Sequence, residues 1–366
     1  MDLTLTAEQE ALRSEVREWA AANVGGAEPG REWQHRLAGG GWGAPAWPVE
    51  FGGRAAGPFE SHLVAQELAA AGAPGSPAVI GIGWAGPAII AHGTPAQKER
   101  FLPRILSGEE IWCQLFSEPN AGSDLAALGT RALREGGRWK VHGQKIWTSL
   151  AREADYGILL ARNDLDSQRQ HGITCFAFPM HQPEELLEVR SIRQMDGRAT
   201  FNEVFFNGAE VPDDHVIGEV GGGWAVAITT LLNERTSLST GLGTLWGDGP
   251  TFADLLELAR RSPLTATQRQ RVADLHIVSE AIKLTAYRML STNGSAASVT
   301  KLAADRWGQQ VNELAVELLG MEGALADSEG FRRAFLFGPA LTIGGGTTEV
   351  QKNILAQRVL GLPRPG

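Results

Sequence analysis

The sequence predicts an α+β chain with a β-rich centre between two helical regions, and three observations carry that prediction. Apolar residues recur at helical spacing between Thr6 and Leu106. Short apolar runs separated by turn residues fill the stretch from Trp112 to Phe206. Helical spacing then returns at Trp224 and persists to Leu360.

In chain order, Thr6 and Gln9 have capping-box spacing, and Leu12, Val16, Trp19 and Ala20 follow on one helical face to Ala22. Gly39 to Gly53 reads as a Gly/Pro/Trp loop, and Phe59 to Gly72 as a second helix. Trp84 to Gly93 and Pro95 to Leu106 read as two more, the latter with Thr94 as N-cap and Pro95 at the first helical position. Gly81, Gly83 and Gly86 spell G-x-G-x-x-G. Only Ala78 to Ile80 precede it and Pro87 follows at once, so close helix packing is expected there rather than a dinucleotide site. Strands are expected at Trp112–Ser117, Thr130–Leu133, Arg138–Val141, Ile146–Ser149, Tyr156–Ala161, Ile173–Phe178, Leu187–Ile192 and Glu203–Phe206. Gly136-Gly137 makes a hairpin, and Gly143-Gln144-Lys145 is read as a break. Strands this short and this spaced suggest a small barrel or sandwich, closed by Pro212 and the Gly218–Gly223 cluster. Helices are then expected at Trp224–Thr240, Thr251–Arg261, Thr265–Leu290, Ser295–Leu319 and Thr347–Leu360.

Composition narrows the function. The 366 residues are 43% hydrophobic and 20% charged, enough apolar material for two or three packed units. A net charge of −9 argues against a nucleic-acid-binding surface. Two cysteines, Cys113 and Cys175, make neither a disulfide framework nor a zinc site, which fits a reducing compartment. Acidic and basic residues interrupt Leu3–Ala22 where a signal peptide needs an apolar core, and Ala78–Ala91 is too short to span a bilayer. A cytoplasmic protein without membrane insertion is expected.

Chemistry concentrates in two motifs, WCQLFSEPNAGSD from Trp112 and GQKIWTS from Gly143. Ser117 and Ser149 sit at strand ends, Trp147 supplies an indole, and Ser123 lies in the loop between. An aromatic face beside short hydroxyl donors suits a flat heterocycle. A third motif, IGGGTTEVQ from Ile343 to Gln351, is a glycine-rich loop entering a helix, whose free N–H groups suit an anion.

The first two motifs, in this order and separation, resemble the acyl-CoA dehydrogenase family of flavoproteins, and the helical–β–helical order resembles its architecture. The resemblance covers nearly the whole chain. It implies an N-terminal helical domain over 1–111, a middle β-barrel or sandwich domain over 112–220 and a C-terminal four-helix bundle over 221–366. It implies FAD as cofactor, held by Gln114, Leu115, Phe116, Ser117, Trp147 and Ser149, and by Gly344, Gly346, Thr347, Glu349 and Gln351 of a neighbouring subunit. Glu349 also suits electrostatic capping of its helix. Ser123 matches the family's pantetheine-contacting serine, and Arg235 is a second candidate on the substrate side. Most members place the catalytic glutamate immediately before the Gly-Thr of the C-terminal loop, where this chain has Gly345. A subgroup places it on the first helix of the C-terminal domain, and Glu234 of TTLLNERTSL occupies that position. The implied reaction is α,β-desaturation of an acyl-CoA to a trans-2-enoyl-CoA. Glu234 removes the α-proton, and the Gly345 N–H donates to the thioester carbonyl. An electron-transfer flavoprotein as electron acceptor and a dimer of dimers are implied as partners.

Three departures stand against the resemblance. No Arg-x-x-Phe-Gly segment follows the base helix, Leu319–Gly323 replaces a Gln-x-x-Gly-Gly motif, and Phe337-Gly338-Pro339 replaces basic or polar residues. Other readings on the same fold are a non-catalytic partner subunit, a flavin oxidase or monooxygenase, and an enzyme acting on a carrier-bound acyl group.

Overall fold

The computed structural model describes residues 4–240, 250–292, 297–325 and 329–363. The chain forms two compact units, one of residues 2–194 with 199–237 and one of 195–198 with 238–366.

The first unit opens with helices α1 (Ala7–Asn23), α2 (Arg31–Gly39), α3 (Pro58–Ala70), α4 (Gly86–His92) and α5 (Pro95–Ser107). Thr6 and Gln9 form the expected capping box on α1, and Thr94 with Gln97 forms another on α5. Helix α2 carries no side-chain cap and follows Gly30, so nothing in its sequence announces a start. The glycine triplet packs closely. Gly81–Ala85 is a π-helical turn leading into α4, and a Cβ at Gly86 would overlap the Trp47 ring. Trp47 also donates to the Ile82 carbonyl at 3.0 Å. The triplet is a packing device, as its flanks require.

One mixed sheet of eight strands follows: β1 (Trp112–Leu115), β2 (Arg131–Glu135), β3 (Arg138–Ser149), β4 (Tyr156–Arg162), β5 (Ile173–Pro179), β6 (Leu187–Ile192), β7 (Phe201–Pro212) and β8 (Val216–Ile217). The order is β6-β7-β3-β2-β4-β5-β8, with β1 parallel on β4. In β4, Ile158 and Leu160 join the core shared with α4 and α5, while Leu159 and Ala161 join a second core with Phe176, Phe178 and Val204. Both faces are covered, which is why β4 and β5 are continuous apolar runs.

Two expectations need correction here. Gly143 does not end a strand, because β3 runs unbroken for 12 residues. Its φ of 140° sits beside Thr130, where a Cβ would collide, so glycine lets the strand pass close rather than stopping it. The strand expected at Glu203–Phe206 extends over Phe201–Pro212 because it pairs with both β3 and β6. Helix α6 (Gly223–Thr240) starts in this unit, with Val226 and Ala227 packed into the first core.

In the second unit α9 (Ala297–Leu319) packs against α7 (Phe252–Arg261), α8 (Ala266–Thr292), α10 (Glu329–Leu341) and α11 (Thr348–Ile354). Leu255, Leu275, Val311, Leu314 and Ala315 form its core. Helix α10 lies in a stretch where no element was expected, and it carries Pro339 inside it. The last helix continues from α11 through a π-helical turn over Leu355–Val359, close to its expected end at Leu360. Among the described residues no helix is long and apolar enough to cross a membrane.

Candidate active site

Strand β1 delivers Gln114 half-buried at the edge of the first core, whereas Leu115 and Phe116 turn their side chains fully inward. These two can meet a ligand only through backbone. The Phe116 carbonyl is taken by the Lys145 ammonium at 2.9 Å, and the Ser117 carbonyl by the Ile146 N–H at 2.9 Å. The two sequence motifs are thus stitched together directly. Ser117 at this seam and Ser149 at the end of β3 are both half-buried.

Trp147 departs from every rule a core tryptophan obeys. Trp33, Trp42, Trp47, Trp84, Trp112 and Trp139 are buried, while Trp147 is 57% exposed. Its φ is +60°, a conformation that bulky residues avoid. The register of β3 on β7 slips between Lys145 and Thr148, so Trp147 lies in a bulge. Phe201 meets its ring edge-on at 6.0 Å. A strained, outward indole fits a flat cofactor that stacks on one face.

Ser123 is exposed near the end of the first motif, in a loop that begins with a tight turn closed by Glu118 and Ala121. Arg162 braces this region by donating to the Ala126 carbonyl at 3.0 Å and the Arg169 and His171 carbonyls at 2.8 Å. Arg169 in turn reaches Asp124 at 3.1 Å.

Glu234 falls on the buried face of α6, two turns beyond Val226 and one beyond Thr230, and is only 7% exposed. Its carboxylate accepts a hydrogen bond from the Gln114 side chain at 3.3 Å. An ordinary surface glutamate would not be enclosed this way. His92 on α4 contacts Thr229 at 2.8 Å and helps seat the same helix. The Arg235 side chain lies outside the described residues.

In the second unit, the Gly344–Gln351 loop is braced from within. Gly345 and Gly346 have φ of 70° and 97°. Thr347 caps α11 by accepting the Val350 N–H at 3.2 Å. Gln351 is fully buried, donating to the Gly345 carbonyl at 2.8 Å and accepting from Ser298 at 2.6 Å. Its side chain therefore shapes the loop. Glu349 is exposed in the first turn of α11, where a carboxylate complements the helix N-terminus.

Sequence reasoning missed Lys145, Glu118 and Arg162. The signal for Lys145 was a lone cation preceding Ile146-Trp147 in a strand, read instead as part of a break.

Three family models match this chain: the acyl-CoA dehydrogenase N-terminal domain over residues 6–109, the middle domain over 113–209 and the C-terminal domain over 221–360. The chain belongs to the acyl-CoA dehydrogenase family, oxidoreductases acting on CH–CH bonds with FAD as cofactor. It is 41% identical to acyl-CoA dehydrogenase FadE34 of Mycobacterium tuberculosis over 98% of this chain, and spans 50% of that protein's length. It is 39% identical to acyl-CoA dehydrogenase IpdE1 of the same organism, covering 97% of this chain and 98% of that one. Among solved structures, the Tcur3481-Tcur3483 steroid ACAD superposes with a TM-score of 0.85 at 29% identity, with both chains fully covered. The ChsE4-ChsE5 complex from Mycobacterium tuberculosis does so with a TM-score of 0.83 at 30% identity, again over both whole chains.

Proposed function

We propose that the protein desaturates an acyl-CoA thioester between its α and β carbons, with Glu234 as the base. The observation that carries this reading is the burial of Glu234 against Gln114, at the end of the strand that leads into the Ser117 and Trp147 seam. FAD, when bound, supplies the two-electron acceptor for the β-hydrogen. Glu234 removes the α-proton as the Cα–H bond breaks, and the double bond forms as hydride leaves Cβ. Gln114 orients the carboxylate. Trp147 and the two serines would hold the cofactor's flat ring, and Ser123 would meet the pantetheine arm. Gly345 has no side chain to act as acid or base, so the base is not at the position where most members carry it. An electron-transfer flavoprotein would be the partner that takes up the two electrons.

The substrate reading is a bulky, steroid-type acyl group. Likeness to a steroid ACAD supports it, as does the small residue at position 345, where most members carry the glutamate. A second reading of the assembly is a complex of two different chains rather than a dimer of dimers, because the likeness extends to the ChsE4-ChsE5 complex.

Glu234→Gln tests the core of the proposal. It preserves shape and hydrogen bonding but removes the base. Flavin content should persist while anaerobic flavin reduction by substrate slows about a hundredfold or more. Wild-type reduction would remove Glu234 from the role.

A further inference from the structure

We infer that Lys145 is a positioning residue that locks the two flavin-facing segments, Phe116–Ser117 and Trp147–Ser149, into one surface and ties the Ser123 loop to it through Glu118. The inference rests on Trp147 and its neighbouring serines as the FAD face, and not on Glu234 as the base.

The geometry is unusual for a lysine. Its side chain is fully enclosed in the middle of β3, where a methionine would fill the same space without a charge to desolvate. Its ammonium instead donates to the Phe116 carbonyl at 2.9 Å and to the Glu118 carboxylate at 2.8 Å. The first contact fixes the end of β1 against β3. The second engages a carboxylate that already accepts the Gly129 N–H at 2.6 Å and the Thr130 N–H at 2.9 Å. Glu118 therefore closes the loop of residues 119–128 across its base, and Ser123 lies in that loop.

Lys145 also stands at the last regular pair before the β3 register slips against β7. The left-handed Trp147 follows two residues later. Strained backbone persists only where its surroundings over-determine it. Here the Lys145 anchor and the Ile146 N–H on Ser117 hold one side, and the Asn202 amide on the Thr148 carbonyl, at 2.9 Å, holds the other. Removing the lysine frees one side of the bulge that aims the indole.

FAD titrated into deflavinated protein, followed by quenching of flavin fluorescence, tests this without turnover. Lys145→Met should raise the FAD Kd tenfold or more and lower Tm, because Glu118 loses its counter-charge. Lys145→Met/Glu118→Gln removes that stranded charge. It should recover most of the Tm while its Kd stays at least fivefold above wild type. A double variant that recovers FAD affinity along with Tm would reduce the pair to fold stability and overturn the inference. So would wild-type affinity in either variant. Failure of Glu234→Gln to slow flavin reduction leaves these binding results untouched.

Discussion

The side-chain amide of Gln114 and the carboxylate of Glu234, 120 residues apart in sequence, meet at 3.3 Å and join the end of β1 to the buried face of α6. A hydrogen bond to a charged group contributes about 1.5–3 kcal/mol, and more is lost when the charge stays buried. Gln114→Leu removes the donor while keeping bulk. Anaerobic flavin reduction should slow about tenfold with FAD content intact, since the base remains but is no longer oriented. Stopped-flow absorbance measures this directly, and an unaltered rate would separate Gln114 from the chemistry.

How far the sequence led can be judged from the same two residues. Glu234 is visible as a helical glutamate, and resemblance marks its position, but TTLLNERTSL has apolar residues on several faces and does not say which face is buried. Burial comes from the Val226–Thr230–Glu234 row meeting a strand far away in sequence. Gly143 misleads for a related reason. It is a strong local breaker, and pairing with β7, distant in sequence, holds the strand together around it. The capping box at Thr6 and the N-cap at Thr94 were legible because their partners lie within four residues.

Trp147 should behave unlike a core tryptophan on substitution. Truncating a buried aromatic costs about 3–5 kcal/mol, whereas Trp147 is mostly exposed and sits at φ +60°. Glycine adopts that conformation freely, relieving strain of about 1–3 kcal/mol. Trp147→Gly should leave the Tm of the cofactor-free protein unchanged or slightly higher while flavin is lost on gel filtration. A large fall in Tm with normal flavin retention would make the indole a structural element.

Gly86 tests the packing reading of the glycine triplet. A Cβ there would strike the buried Trp47 ring, and overpacking of this kind costs about 1–3 kcal/mol. Gly86→Ala should lower Tm by several degrees without altering flavin content. Nicotinamide dinucleotides should not raise the Tm of either protein, and such a rise in wild type would revive a nucleotide role for the triplet.

The Lys145–Glu118 pair predicts how stability changes in alkali. Burial pushes the Lys145 ammonium down to about 8, against the pull of Glu118. Burial also works to raise the Glu118 carboxyl, but the Lys145 charge and the hydrogen bonds from Lys145, Gly129 and Thr130 together hold it below its ordinary value. The pair is asymmetric because the lysine is wholly enclosed and the glutamate only partly. Below pH 8 Lys145 is protonated in both folded and unfolded chains, and the cost of burying its charge is present in full. Between about 8 and the ordinary 10.5 the unfolded chain binds the extra proton, so stability rises with pH across that window. Each pKa unit is worth about 1.4 kcal/mol, which sets an upper bound of about 3.5 kcal/mol on the gain. Other groups titrate there too, so the comparison is with Lys145→Met/Glu118→Gln, in which neither position titrates. Wild type should gain stability relative to that variant from pH 8 to 10.5, read as the difference in denaturant midpoints. A constant difference across the window would mean that Lys145 titrates at its ordinary value and that burial does not penalise its charge.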